Sequence, residues 1–271
     1  MRINHAALHL TVLGARGSMP VDGKDFSIYG GATSCYRVQA GDEEIYLDAG
    51  SGIVKARPSP HARLTLLLTH MHLDHIMGLP FFPALAQPDR TIDIYARKHS
   101  GLLPKDALDR LIAPPFWPVK LENYPSNIKI HVPSDETIKL NDVTVDMIES
   151  NHPNGSMICR LARGGRSMVY ATDFEHSDPD RLNALITFAD GCDLLIYDAQ
   201  YTTEEYDRHR GFGHSTAEVG IEIAARAGAG RIMFVHHAPW RTDDQIADLE
   251  RRLNERHGNI SFAKIGDEIT L

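Results

Sequence analysis

Six residues, His70-Met71-His72-Leu73-Asp74-His75, limit this chain more than any property of the whole. An apolar run of strand length, Leu64 to Thr69, leads into them, and Gly78, Leu79 and Pro80 follow. The cluster is therefore expected on a turn leaving a buried strand. Imidazoles packed this tightly repel one another when charged and are hard to satisfy when neutral. A divalent cation resolves both problems, because neutral imidazole and carboxylate are its ligands. On an extended turn His70 and His72 point one way, while Asp74 and His75 turn toward a second position, which suits two metals sharing one site. The plain alternative is a His-rich surface turn.

The same event recurs along the chain: an apolar strand, then His or Asp at its end. It happens at His70, His152, Asp173, Asp198 and His236. In layered α/β proteins, ligands bind where loops converge at strand ends. Expected strands are 8–13, 36–39, 44–48, 64–69, 91–96, 128–132, 136–140, 143–149, 156–162, 167–171, 194–198 and 231–235. Expected helices are 179–189, 215–227 (capped by Ser215 or Thr216) and 242–257 (capped by Thr242). A short helix is expected after Ala49-Gly50-Ser51-Gly52. Strands with helices at intervals in both halves suggest two β-sheets packed face to face with helices outside. No linker divides the chain, so 1–271 reads as one domain. The Gly14-Ala15-Arg16-Gly17-Ser18-Met19-Pro20 loop can bring N–H groups close to an anion, or be only a turn. Residues 100–127 carry Pro104, Pro114, Pro115, Pro118 and Pro125 around Phe116-Trp117. They read either as a lid inserted over the site or as a surface connection whose aromatics pack on the body.

A formal charge of -8 argues against a broad electrostatic grip on RNA or DNA. Cys35, Cys159 and Cys192 are few, odd in number and widely spaced, which suits reduced core residues rather than a disulfide framework. Residues 1–12, with His5 and His9, contain no long apolar core, and no run reaches membrane-spanning length. A cytoplasmic protein without membrane partners is the expectation.

The set His70-x-His72-x-Asp74-His75, His152, Asp173 and His236 resembles the metallo-β-lactamase superfamily in order and spread over nearly the whole chain. The resemblance implies a four-layer αββα sandwich of two mixed sheets with a binuclear metal site along one edge. Carried over, His70, His72 and His152 hold one metal, Asp74, His75 and His236 the other, and Asp173 bridges them. His237 is the competing ligand at the last position, but His236 ends the strand directly. The donor set favours two zinc ions, with manganese or iron as alternatives. Within the superfamily the chain looks closest to the ribonuclease Z and phosphodiesterase branch. Gly213-His214-Ser215-Thr216 resembles that branch's motif, whose His contacts phosphate and protonates the leaving oxygen, and Asp198 sits where the branch places the acid that orients it. Phosphodiesterases of this branch often dimerise.

The expected activity is a binuclear metal-dependent phosphodiesterase acting on a small phosphodiester such as a cyclic nucleotide. A shared water, ionised between two metals, attacks phosphorus. Asp74 binds metal and orients the nucleophile, and His214, held by Asp198, protonates the leaving oxygen. Ser18, Phe116 and Trp117 are the expected substrate contacts, the two rings by stacking on a base or aryl group. No long Gly/Pro arm of the tRNA-clamping kind is found, which weighs against tRNA 3′ processing. The rivals are a ribonuclease Z-like nuclease, a lactonase or thioesterase using the same metal chemistry on C=O, a diiron redox protein (that branch usually has Glu where this chain has His72), and a non-catalytic metal-stabilised binding protein.

Overall fold

The computed structural model describes residues 7–60 and 63–271. The reading of residues 1–6, His5 included, lies outside the described residues. The first half supplies β1 (His9–Gly14), β2 (Cys35–Ala40), β3 (Glu43–Leu47), β4 (Arg63–Leu68), β5 (Thr91–Ala96) and β6 (Asn127–His131). The second supplies β7 (Thr137–Leu140), β8 (Val143–Glu149), β9 (Met157–Arg163), β10 (Arg166–Ala171), β11 (Leu194–Asp198), β12 (Ile232–Val235) and β13 (Ile260–Phe262), and β14 (Glu268–Thr270) returns to the first sheet. The strand orders are β14-β1-β2-β3-β4-β5-β6 and β13-β12-β11-β10-β9-β8-β7. Both sheets are mixed: β3 to β6 run parallel, as do β10 to β13, and the remaining pairs are antiparallel.

Three apolar clusters explain the layering. One lies between the sheets and joins Leu10, Val38 and Leu47 of the first to Met147, Leu161 and Ile196 of the second. A second seals the outer face of the second sheet under α3 (Pro179–Phe188), α5 (Ala217–Ala227) and α6 (Asp243–His257). The third covers the outer face of the first sheet with short helical turns and α2 (Pro104–Leu111). β3 and β11 are buried along their whole length, as strands covered on both faces must be. The expected αββα sandwich is the fold observed. Among the described residues, no helix is long and apolar enough to cross a membrane.

Several local expectations change. The His cluster is not an extended turn throughout: α1 (Leu73–Ile76) coils it, because His75 N–H bonds to His72 O and Met77 N–H to Leu73 O. Thr216, not Ser215, caps α5, accepting from Val219 N–H. α2, α4 (Thr203–His209), β13 and β14 are elements not expected from the sequence. Segment 100–127 is pinned to the body by Leu108, Ile112 and Leu121, all buried in the third cluster. Trp117 packs edge-on against Phe81 and donates its indole N–H to Tyr124 Oη, so it follows the packed-connection reading, whereas Phe116 is 77% exposed.

Candidate metal centre

Topology brings the polar strand ends to one edge. Ala171 pairs with Tyr197, and Asp198 with Val235, so Asp173, Asp198 and His236 leave adjacent parallel strands together. β4 delivers His70, His72 and α1 from the other sheet. The loop between β8 and β9 contributes His152. The site therefore straddles the seam between the sheets.

Among the described residues, the donor atoms include two separate groups, His70, His72 and His152, and Asp74, His75 and His236, joined by a third of His70, His75 and Asp173, the atoms of each within 4.8 Å of one another. Asp173 lies between them. Its Oδ2 is 3.1 Å from His75 Nε2, and its Oδ1 is 3.4 Å from His236 Nε2 and 3.8 Å from both His70 and His152 Nε2. Of the adjacent histidines, His236 faces the cluster. His237 turns away, its Nε2 donating to Ala263 O; burial and then nearby Arg16 lower its pKa to about 3.

Outer partners orient the rings. His75 Nδ1 donates to Asp48 Oδ2 at 2.7 Å, His236 Nδ1 to Gln200 Oε1 at 2.7 Å, and His152 Nδ1 to Gly213 O at 3.0 Å. Each bond leaves the Nε2 lone pair aimed inward when the ring is neutral, the arrangement metal-ligating histidines adopt. Asp48 also accepts from Thr69 N–H, the Thr69 hydroxyl and Tyr170 Oη. Asp74 Oδ2 accepts from Ser18 N–H at 2.7 Å, so the Gly-rich loop does reach an anion, one belonging to the protein. A Cβ on Gly17 would stand 2.3 Å from His236 Nδ1, and one on Gly213 (φ 88°) 2.1 Å from His152 Nδ1, so both positions demand glycine. Asp48, Asp173 and His236 themselves hold positive φ (60°, 53° and 61°), backbone strain of about 1–3 kcal/mol each.

The electrostatics suit divalent cations. Burial first, then the neighbouring histidines, holds His70 well below the usual histidine range, and burial with His152 brings His72 to about 4. Burial opposes ionisation of Asp74 and Asp173, yet His75 and His236 pull both below the carboxylate range. Burial would likewise lower His75 and His236, but the surrounding carboxylates raise both, His236 to about 9. His70 Nε2 is buried without any hydrogen-bond partner. An orphaned imine nitrogen, a central carboxylate and two histidines held positive by acids are what cations would resolve, so these residues fit them.

Two expected outcomes follow from this shell. Asp48→Asn keeps the volume but weakens the His75 partner, and should reduce metal affinity by about 10–100-fold, measured by competition with a chelator. Metal uptake should also release protons, since His75 and His236 must be neutral to ligate, and affinity should rise with pH up to about 9. The raised His236 pKa stabilises the metal-free fold fully below about pH 6.5, and this is lost as pH rises through about 9. Titration calorimetry in buffers of different ionisation enthalpy counts the protons; buffer-independent heats contradict the prediction.

Next to the cage, His214 Nδ1 donates to Asp198 Oδ2 at 2.9 Å. Asp198 accepts in addition from Asp173, Gln200 and Ser215 N–H, so its carboxylate is fixed by four donors. Glu175 fixes the preceding loop, accepting from Tyr206 Oη and from Gly211 and Gly213 N–H. The Ser18 hydroxyl is only 3.5 Å from Gln200 Oε1, and the hydrogen bonds and ring pairs of the cage include neither Phe116 nor Trp117. Tyr201 meets the His214 ring edge-on, and His209, Phe212 and Trp240 pack beyond it. Asp48, Gln200 and Glu175 were missed from sequence, although Asp48 does end a strand.

A family model described as β-lactamase superfamily domain matches residues 6–237. Ribonuclease Z of Natronomonas pharaonis is 24% identical over 98% of each chain. The crystal structure of the metallo-β-lactamase fold protein YhfI from Bacillus subtilis superposes with a TM-score of 0.74 at 20% identity, covering 98% of this chain and all of that one. A diphosphatase from the PhnP family superposes at 0.70 and 20% identity, covering 98% and 97%. With the family match running through every residue of the cage, this chain belongs to the metallo-β-lactamase superfamily.

Proposed function

We propose that this protein is a metal-dependent phosphodiesterase that cleaves a small phosphodiester such as a cyclic nucleotide. The observation that carries the reading is the buried His214–Asp198 pair set against the seven-residue cage. Two divalent cations, zinc by the donor set, would neutralise phosphate oxygens and acidify a shared water. Asp74, held by Ser18 N–H and His236, would orient the attacking oxygen. Asp198 keeps the His214 proton on Nδ1, so a second proton on Nε2 is the one available to a leaving group. As the bond from phosphorus to the leaving oxygen breaks, that proton passes to the oxygen and the neutral ring stays bonded to Asp198.

Relatives named ribonuclease Z keep a nuclease reading open. The alignment to the Natronomonas enzyme runs to 315 positions against 271 residues here, so that relative carries segments this chain lacks. Together with the charge of -8, this favours a short substrate. The test is turnover by the metal-loaded protein of bis(p-nitrophenyl) phosphate, cyclic nucleotides, a lactone, a thioester and a tRNA precursor. Preference for the small phosphodiesters supports the proposal. Dominant lactone, thioester or tRNA cleavage overturns it.

A further inference from the structure

Outside the cage, four aromatic rings run outward from His214. Tyr201 meets His214 edge-on at 5.9 Å, and His209 stacks on Tyr201 at 4.4 Å with 15° between planes. Trp240 lies nearly parallel to both, 6.5 Å from Tyr201 and 6.3 Å from His209, while Phe212 stands edge-on to His209 at 5.7 Å. Tyr201 is a buried floor. Trp240 and Phe212 are 50% and 60% exposed, a concentration of apolar ring surface that marks a contact site.

The fold holds these exposed rings in place. The fully buried Arg16 guanidinium donates to Ala238 O at 3.0 Å and Arg241 O at 2.9 Å, carbonyls on either side of Trp240. Arg241 in turn pairs with Glu205 of α4. At the end of that helix, His209 Nδ1 donates to Glu205 O at 2.8 Å, and a capping box of Thr202 and Glu205 secures its start. Preorganised rings bind a flat partner at little ordering cost.

We infer that these rings seat the aromatic ring carried by the leaving group, a nucleobase in a nucleotide substrate. The inference rests on the phosphodiesterase reading, because His214 then meets the leaving oxygen and whatever hangs from that oxygen lies on the Tyr201 and Trp240 side. Uncharged π-faces accept any base by stacking and do not grip an extended phosphate backbone.

The test is titration calorimetry of the metal-loaded protein with adenosine 5′-monophosphate and with ribose 5-phosphate, alongside kcat/KM for adenosine 3′,5′-cyclic phosphate and for its analogue lacking the base. Wild type should prefer the base-bearing member of each pair. Trp240→Ala and Phe212→Ala should each lower that preference by about ten-fold, the scale of removing a stacking side chain, and Trp240→Phe should restore part of it. Both positions are at the surface, and unchanged melting temperatures keep the comparison fair. Equal preference in wild type and both variants overturns the inference even if hydrolysis is robust. Base-dependent binding through Trp240 with no hydrolysis of any phosphodiester sinks the phosphodiesterase reading and leaves the ring site standing. Concentration-dependent dimerisation abolished by Trp240→Ala, without base preference, assigns the rings to a second copy and overturns the inference.

Discussion

His214→Ala should cut turnover of a phosphodiester with a poor alkoxide leaving group by about two to four orders of magnitude while metal content stays unchanged. The loss should be much smaller for bis(p-nitrophenyl) phosphate, whose leaving oxygen is already a stable anion near neutral pH and needs little protonation. The contrast separates proton donation from structural damage. Removing the ring leaves Asp198 with its three backbone donors, so the carboxylate stays satisfied and the loop remains tied by Glu175. Equal losses on both substrates, or retained activity on the alkoxide ester, would remove His214 from its assigned role.

The second large effect is expected at Asp173. Its carboxylate faces His70, His75, His152 and His236 across the centre of the cage. Asp173→Asn preserves shape but replaces the central negative charge with an amide whose NH2 group is a poor ligand. Metal affinity should fall by well over the 10–100-fold that an outer partner such as Asp48 controls, and activity should fall with it. Elemental analysis after dialysis gives the answer: wild-type metal content in the variant would refute the bridging assignment. His75 and His236 also lose the carboxylate that raises them, so their pKa values should drop in the metal-free variant.

Most of the cage was legible because its residues follow a local rule, a buried strand that stops and hands over to His or Asp. His70, His152, Asp173, Asp198 and His236 all obey it; parallel pairing aligns the strand ends before Asp173, Asp198 and His236, and the packing of the two sheets brings His70 to the same edge. Asp48 obeys the rule too but sits in the plain sequence Tyr46-Leu47-Asp48, and only the 2.7 Å bond to His75 distinguishes it. α4 was missed because Thr203–His209 buries a single side chain, Tyr206, and shows no apolar stripe; its one local signal was the Thr202 and Glu205 capping box. Trp117 in a proline-rich run read either as part of a lid or as packed on the body, and its ring is spent on Phe81 and Tyr124. The rings near His214 come from residues 201, 209, 212 and 240, a grouping that only tertiary folding creates.

The seam position of the cage has a thermodynamic consequence. One sheet contributes His70, His72, Asp74 and His75, the other His152, Asp173 and His236, so an ion held by both sets would clasp the two halves together. Any fluctuation that parts them at this edge dismantles the coordination sphere, and by mass action every increment of ion affinity becomes an increment of resistance to that parting. Such an ion would also offset the strain stored in the left-handed backbone at Asp173 and His236, since releasing those angles would cost coordination.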